Sequence, residues 1–355
     1  MALKEIRQAI FILTAQVIIY SIATTLAFFM FLRTVLLWFR SPSGIFFSKR
    51  RELPPDLLND QSLGEHHYIQ IKNIKLHYVE KGDRTKPLML FLHGFPDFWF
   101  SWRHQIKYFS SNYWTVAVDL RGFGESEKPI GINQYKIKYL INDIKNLITA
   151  LGKEKCVLVS QDWGSVISWY FLLKYSNMIE KYVVLNVPPM YTFTVSWKQI
   201  FLSWYTVFFQ IPYFPELYFS LKDFRMMDYV LFFLNEKEKE AYKFTFGKPG
   251  ALTYGINYYR ANLMKILFYK KTKHNMKFPK GLLIYTDNDP YMSVANFKSV
   301  KDEVENLEVT FIESATHFMQ QVKYEEVNKI INEFLETTVE DVSHVKSVQS
   351  KDSES

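Results

Sequence analysis

The hydrophobic pattern of the chain begins with a run that has no polar face. From Ala9 to Leu32 there is not one charged side chain, and a helix of that length would span about 36 Å, enough for a bilayer core of about 30 Å with some tilt. A cleaved signal sequence is the rival reading. Its apolar part is usually about 7–15 residues long and ends at a small-residue cleavage site, which is not evident here, so the length favours a retained anchor. Arg33, Arg40, Lys49, Arg50 and Arg51 follow the run, whereas only Lys4 and Arg7 precede it among basic residues. That bias favours a cytosolic catalytic domain and leaves a lumenal placement open. The stretch from Glu52 to Gly64 is polar, contains Pro54-Pro55, and reads as a tether.

Beyond the tether the pattern becomes that of a folded α/β domain. Tyr68–Ile71 and Lys75–Glu80 read as strands, followed by short apolar runs at Leu88–Leu92, Thr115–Val118, Val157–Ser160, Tyr182–Leu185, Leu282–Tyr285 and Val309–Ile312. Segments of helical length separate most of these runs. Such alternation predicts a mostly parallel central sheet with helices on both faces. It breaks between Pro188 and about Lys273, where aromatics and methionines recur at helical spacing without a strand. An insertion there would sit above the carboxyl ends of the strands, where open α/β sheets bind ligands, and is read as a helical lid. The expected organisation is a flank (1–8), a transmembrane anchor (9–32), a juxtamembrane tether (33–65), a core in two parts (66–187 and 274–339) around the lid (188–273), and a disordered polar tail (340–355).

Composition narrows the classes. At 355 residues with 48% hydrophobic content the chain can bury a large core. Its single cysteine, Cys156, rules out an internal disulfide framework and reads as a buried strand residue. No N-x-S/T sequon occurs, in keeping with a cytosolic location. The formal charge of +7 comes partly from the cluster after the anchor and partly from Lys270, Lys271, Lys273, Lys277 and Lys280. The second cluster reads as a solvated linker, with anionic lipid headgroups as the alternative contact. No nucleic-acid module accompanies it. The eight histidines have no metal-ligand spacing: His66-His67 is read as loop and His274 lies in the lysine-rich connection, so no metal is expected. Phosphate-cradling glycine motifs are lacking too, and no cofactor is expected.

Candidate chemistry centres on Ser160-Gln161-Asp162-Trp163-Gly164. An apolar strand runs into a small residue, an acid and a glycine, the pattern of a tight strand-to-helix elbow that holds a nucleophile above a sheet. Here the nucleophile position is Asp162, not a serine. His93-Gly94-Phe95-Pro96 follows an earlier strand, and the backbone N–H groups of Phe95 and Trp163 are placed to form an oxyanion hole. Asp289 follows a late strand and His317 follows the last one. Nucleophile, acid and histidine therefore occur in the order this architecture uses. Asp287, two residues before Asp289, is the weaker candidate for the acid.

With these pieces in place, the chain resembles α/β-hydrolases of the epoxide hydrolase branch, most of all the membrane-anchored forms of animals. The elbow and His93–Pro96 carry the resemblance, with Arg121-Gly122-Phe123-Gly124-Glu125-Ser126, Trp102 and Gln105. It covers residues 68–335 and implies two lid tyrosines, matched by Tyr205 in Tyr-Thr-Val-Phe-Phe-Gln and Tyr259 in Asn-Tyr-Tyr-Arg. Tyr254 and Tyr258 are neighbours that could be mistaken for the second. The implied reaction opens a lipophilic epoxide, with epoxy fatty acids the implied substrates, and water then completes a vicinal diol. Endoplasmic reticulum membrane is the implied location. One departure stands out: the family commonly has Gly-His-Asp-Trp-Gly at the elbow, so Gln161 replaces a supporting histidine and should alter rate or water positioning.

The residue chemistry fits those roles. A carboxylate can displace at a saturated carbon and form an alkyl ester. The departing alkoxide needs proton donors, which two phenols supply. A histidine oriented by a carboxylate can then activate water. Three rivals are weighed at this level, a serine esterase being a poor third because Ser160, Ser165 and Ser168 all miss the nucleophile position. A haloalkane dehalogenase shares the aspartate elbow, but a halide leaves without a proton and needs no tyrosine pair. A catalytically silent binding protein of the same fold would usually have lost a member of the Asp162/Asp289/His317 set. Oligomeric state is not legible.

Overall fold

In a computed structural model, residues 2–193, 196–269 and 278–336 are described. The predicted tail and most of the second lysine cluster, with His274, lie outside them.

Eight strands form one sheet: β1 (Glu65–Ile71), β2 (Ile74–Lys81), β3 (Leu88–Leu92), β4 (Trp114–Val118), β5 (Cys156–Gln161), β6 (Ile179–Leu185), β7 (Lys280–Thr286) and β8 (Leu307–Ile312). Their spatial order is β1-β2-β4-β3-β5-β6-β7-β8. β1 pairs antiparallel with β2 and β2 with β4, and every later pairing is parallel. The central strands β3, β4 and β5 are buried at every position, which is why they read as continuous apolar runs instead of alternating ones. Helices α2 (Arg103–Phe109), α3 (Ile137–Ala150), α4 (Trp163–Tyr175) and α10 (Tyr324–Glu336) pack as two layers, α3 against α4 and α2 against α10.

His66 and His67 lie in β1, not in a loop. The sequence Glu-His-His-Tyr-Ile-Gln-Ile is polar enough to hide a strand, and its pairing with β2 supplies what its own composition does not. His67 faces the Glu80 carboxylate at 3.2 Å, and His66 meets the buried His77–Asp119 pair.

Between β6 and β7 the described residues build five helices: α5 (Trp197–Leu202), α6 (Trp204–Phe208), α7 (Phe214–Val230), α8 (Glu236–Phe246) and α9 (Ala251–Leu267). A capping box starts α8, in which Asn235 accepts from the Glu238 N–H and the Glu238 carboxylate accepts from the Asn235 N–H. Helix α7 is interrupted: Lys222, Asp223 and Phe224 have positive φ. The freed N–H groups of Lys222 and Asp223 donate to the carbonyls of Ile45 and Phe47, at 2.9 and 2.8 Å.

That pairing changes the picture of the N-terminal region. Helix α1 runs from Ala2 to Arg40, past the expected end of the anchor at Leu32. The segment after it is docked, not free. Ile45 is wholly buried, and the Arg51 guanidinium donates to both carboxylate oxygens of Asp223 at 2.7 Å and to Glu240 at 3.1 Å. Leu58 is buried as well, so the stretch read as a polar tether is held at several points. Residues Ile10–Arg40 are long and apolar enough to cross a membrane, and most of that surface faces outward.

Candidate active site

At the end of β5 the backbone turns at Asp162 with φ 51° and ψ −121°, a conformation that few residues other than glycine adopt, and enters α4 at once. Two close approaches explain the small residues around it. A Cβ on Gly164 would come within 2.2 Å of the Leu92 carbonyl oxygen, and one on Gly94 within 2.1 Å of Asp162 Oδ1. The elbow therefore fits against β3 and the loop after it only where glycine stands.

That loop is itself fixed. His93 is fully buried, and burial lowers its pKa, so the ring is neutral. Its Nδ1 lies 2.8 Å from the Gly94 carbonyl and its Nε2 accepts from the Leu120 N–H at 3.0 Å, which sets the tautomer with the proton on Nδ1. Phe95, held this way, donates its backbone N–H to Asp162 Oδ1 at 2.8 Å. Pro96 follows across a cis peptide bond and lines the cavity.

His317 stands between two carboxylates. Its Nδ1 is 2.7 Å from Asp289 Oδ2 and its Nε2 is 3.4 Å from Asp162 Oδ2. Asp289 is aimed by the N–H groups of Tyr291 and Met292, which donate to its other oxygen at 2.7 and 3.0 Å. Burial alone would lower the histidine pKa. The Asp289 charge opposes it, followed by the hydrogen bond to Asp162, and the balance raises the pKa to about 10. The resting site thus holds an imidazolium between carboxylates. Asp287 is exposed and caps the Ser314 N–H at 3.0 Å, away from His317.

Tyr205, on α6, and Tyr259, on α9, meet edge to face at 5.8 Å between ring centres. Both phenols have pKa values raised well above the usual 10, by burial first and then by the Asp162 charge, so both remain protonated donors. Tyr259 also packs on the Trp163 indole, with ring centres 5.1 Å apart. Tyr258 points elsewhere and donates to the Arg121 carbonyl at 2.7 Å, and Tyr254 stacks near Tyr135. Gln161 is buried and its amide donates to the His317 carbonyl at 3.2 Å, so it braces the histidine through the backbone. Gln105 reaches the Gln320 carbonyl and the Asn328 side chain, and Trp102 is in the core; both serve the scaffold.

Two neighbours escaped the sequence reading. Tyr291 lines the cavity, 5.4 Å from the Tyr205 ring and 5.0 Å from the His317 ring; its place two residues after Asp289 was the only available signal. Asp97 directly follows the Phe95–Pro96 turn and is fully buried, accepting from the Tyr242 hydroxyl at 2.6 Å. Burial, then the nearby Asp162 charge, outweigh that hydrogen bond and raise its pKa to about 7. Folding therefore favours the protonated form, and this contribution to stability fades as pH rises from about 4 through 7. Asp97→Asn cannot ionise. Its melting temperature relative to wild type should rise by roughly 2–4 °C between pH 4.5 and pH 8; equal shifts at the two pH values, by calorimetry, would rule the titration out.

Asp162, His317, Tyr205, Tyr259 and Tyr291 share one cavity with about 730 Å³ of empty space, counting its open mouth, otherwise walled by apolar side chains such as Phe95, Phe209, Phe219 and Val230. The profile of the α/β-hydrolase fold family matches residues 87–324. Human epoxide hydrolase 4 is 41% identical over 84% of this chain and 87% of its own length, and epoxide hydrolase 3 of Xenopus tropicalis is 37% identical over 83% and 84%. The chain belongs to the epoxide hydrolase family. Like other members it is a hydrolase that acts on the cyclic ether bond of epoxides. A crystal structure of the Bacillus megaterium epoxide hydrolase with an inhibitor superposes with a TM-score of 0.70 at 31% identity, covering 76% of this chain and all of that one. An epoxide hydrolase from Vigna radiata gives 0.67 at 33% identity, covering 78% and 99%.

Proposed function

We propose that this epoxide hydrolase converts lipophilic epoxides, with epoxy fatty acids the best fit, to vicinal diols through an ester on Asp162. The observation that carries this reading is one apolar cavity in which a carboxylate, two protonated phenols and a carboxylate-oriented histidine converge.

In the first step Asp162 attacks one epoxide carbon and the C–O bond opposite breaks. Tyr205 and Tyr259 hydrogen-bond the ring oxygen and one of them gives it a proton, so the alkoxide leaves as a hydroxyl. Esterification removes the Asp162 charge. Two of the influences that raise the His317 pKa then vanish, because its hydrogen bond to Asp162 and the Coulomb attraction of that carboxylate both depend on the charge. The imidazolium gives its proton to the phenolate left by ring opening, and the neutral histidine becomes a base at the point where one is needed. It takes a proton from water, the hydroxide adds to the ester carbonyl, and the Phe95 and Trp163 N–H groups receive the oxyanion. Collapse breaks the ester C–O bond, His317 gives its new proton to the departing alkoxide to free the diol, and the Asp162 carboxyl passes its proton to His317, which restores the carboxylate and the imidazolium. No cofactor enters these steps. Gln161, by bracing His317, would tune the second step.

For location, a membrane anchor formed by α1 supports a lipid-derived substrate; the family resemblance implies the endoplasmic reticulum membrane, and the flanking charges favour a catalytic domain on the cytosolic side. The test is His317→Gln protein exposed briefly to a long-chain epoxide, with a long-chain haloalkane in parallel. Without its base the enzyme should stall, and peptide mapping should place an epoxide-derived adduct on Asp162. An adduct from the haloalkane alone would make this a dehalogenase. No adduct from either, with the protein folded, would point to a binding protein.

A further inference from the structure

Helix α1 does not stand apart from the catalytic unit. Ala23, Ala27, Met30, Thr34 and Leu37 recur at intervals of three or four, so they form one face, and all are buried or packed against the core. Val17, Phe28, Phe29, Leu36 and Phe39 face outward. The inner face seats on α6, and Met30 lines the same cavity as Asp162 and His317. Trp204 also lines that cavity and is 40% exposed, which places the mouth at the seam between α1 and the lid.

A second cavity opens beside this seam. It has about 680 Å³ of empty space and is lined by Arg33, Lys222 and Arg225 with Leu37, Ile45 and Tyr229. Tyr218 and Met226 belong to the walls of both cavities, so the two are neighbours across those side chains. Among the described residues none of the three cations is paired with a carboxylate: Arg33 donates to the Tyr218 hydroxyl at 3.2 Å and Arg225 to the Tyr229 hydroxyl at 3.1 Å. Lys222 is held there by the interruption of α7, with its N–H on the Ile45 carbonyl. Elsewhere on the same segment the rule is different, since Arg51 is fully engaged by Asp223 and Glu240. Three cations gathered at one hollow without an acid mark a site for an anion.

We propose that Arg33, Lys222 and Arg225 bind the anionic head of the acyl substrate, a carboxylate, while its chain passes Tyr218, Met226 and Met30 to bring the epoxide to Asp162. This rests on the reading of the substrate as a lipophilic epoxide and adds how its polar end is held. Arg33 is the first charge after the apolar run and lies about 4.5 Å along the helix axis from Met30. In a membrane-spanning α1, a fatty acid could therefore keep its carboxylate at headgroup level and lower only its chain into the site. Selection for acids over neutral epoxides follows from the cations, and selection for chain position follows from the distance between the two cavities.

The test uses the full chain in nanodiscs of zwitterionic lipid. A variant with Arg33→Gln, Lys222→Gln and Arg225→Gln is compared with wild type on an 18-carbon epoxy acid and on its methyl ester. The acid should show KM raised about three- to tenfold, with kcat unchanged and the ester unaffected, a size set by partly exposed charged pairs. Equal effects on acid and ester would overturn the proposal. A second readout needs no turnover. Because Cys156 is buried, Met226→Cys supplies a single accessible thiol at the junction of the two cavities. An unreactive 18-carbon carboxylate should slow its alkylation more than the matching alcohol, and the three substitutions should abolish the difference. If acid and alcohol protect equally, and the three substitutions instead weaken attachment to anionic vesicles, the cations serve lipid headgroups and the proposal fails. Protection that follows the carboxylate, in a protein that turns over no epoxide, would sustain the anion site and sink the assigned reaction.

Discussion

Asp162→Ala should end diol formation, with a fall in kcat of at least about 10⁴-fold, the scale seen when a covalent nucleophile is removed. The expectation follows from geometry. No other carboxylate lines the cavity among the described residues, and Asp289 has both oxygens committed, one to His317 and one to the N–H groups of Tyr291 and Met292. Water activated by His317 would have to attack a saturated carbon directly, without the ester that divides the reaction into two easier steps. The variant should also reveal how the histidine changes role. With Asp162 gone, His317 loses its second carboxylate, so its pKa should fall from about 10. A histidine whose pKa is raised on folding adds stability that is complete below about 6.5 and is lost as pH rises through the folded value. That pH-dependent loss should be smaller in Asp162→Ala. Diol quantified by mass spectrometry and the His317 ring followed by NMR titration check both halves. Retention of more than about 1% of the wild-type rate would remove Asp162 from the role of nucleophile.

Why some of this was legible in the sequence and some not is a matter of range. The parallel strands show themselves because burial on both faces forces continuous apolar residues, and all six apolar runs after the first hairpin lie within observed strands. The elbow is legible for a local reason too: the crowding at Gly94 and Gly164 dictates which residues may flank Asp162. His66 and His67 were missed as strand residues because β1 is an edge strand, antiparallel to β2 alone, and half of its side chains face water. The docked segment after α1 was hidden for another reason. Part of its hold comes from backbone N–H groups freed only where α7 breaks, which donate to the Ile45 and Phe47 carbonyls, beside the Arg51 contacts with Asp223 and Glu240. Neither side of such a contact has a pattern of its own. Met30 reads as one more apolar residue of an anchor, and only the seat of α1 on α6 turns it toward the cavity. Among the candidate site residues, the structure brings Asp162, His317, Asp289, Tyr205 and Tyr259 together.

Replacing both lid phenols, Tyr205→Phe with Tyr259→Phe, should lower the rate of ring opening by about 10³-fold or more, and each single change by about 10–100-fold. A donor to a developing oxyanion in a comparable buried site contributes about 3–4 kcal/mol, and either tyrosine alone can partly cover for the other because both line one cavity with ring centres 5.8 Å apart. The effect should be confined to the first step. In the proposed mechanism the phenols serve the leaving oxygen and the N–H groups of Phe95 and Trp163 the ester carbonyl, so hydrolysis of an ester already formed should proceed at the wild-type rate. Rapid-quench single turnovers separate the two steps. The pH dependence has a sign as well: burial, then the Asp162 charge, push both phenols well above 10, so ring opening should not decline through loss of a phenolic proton up to about pH 10. A haloalkane offers the sharpest contrast, because its leaving group takes no proton. If the double variant slowed alkylation by an epoxide and by a haloalkane to the same degree, the tyrosines would be shaping the cavity instead of donating to oxygen. The feature that separates epoxide chemistry from halide displacement in this fold would then have to be sought elsewhere in the lid.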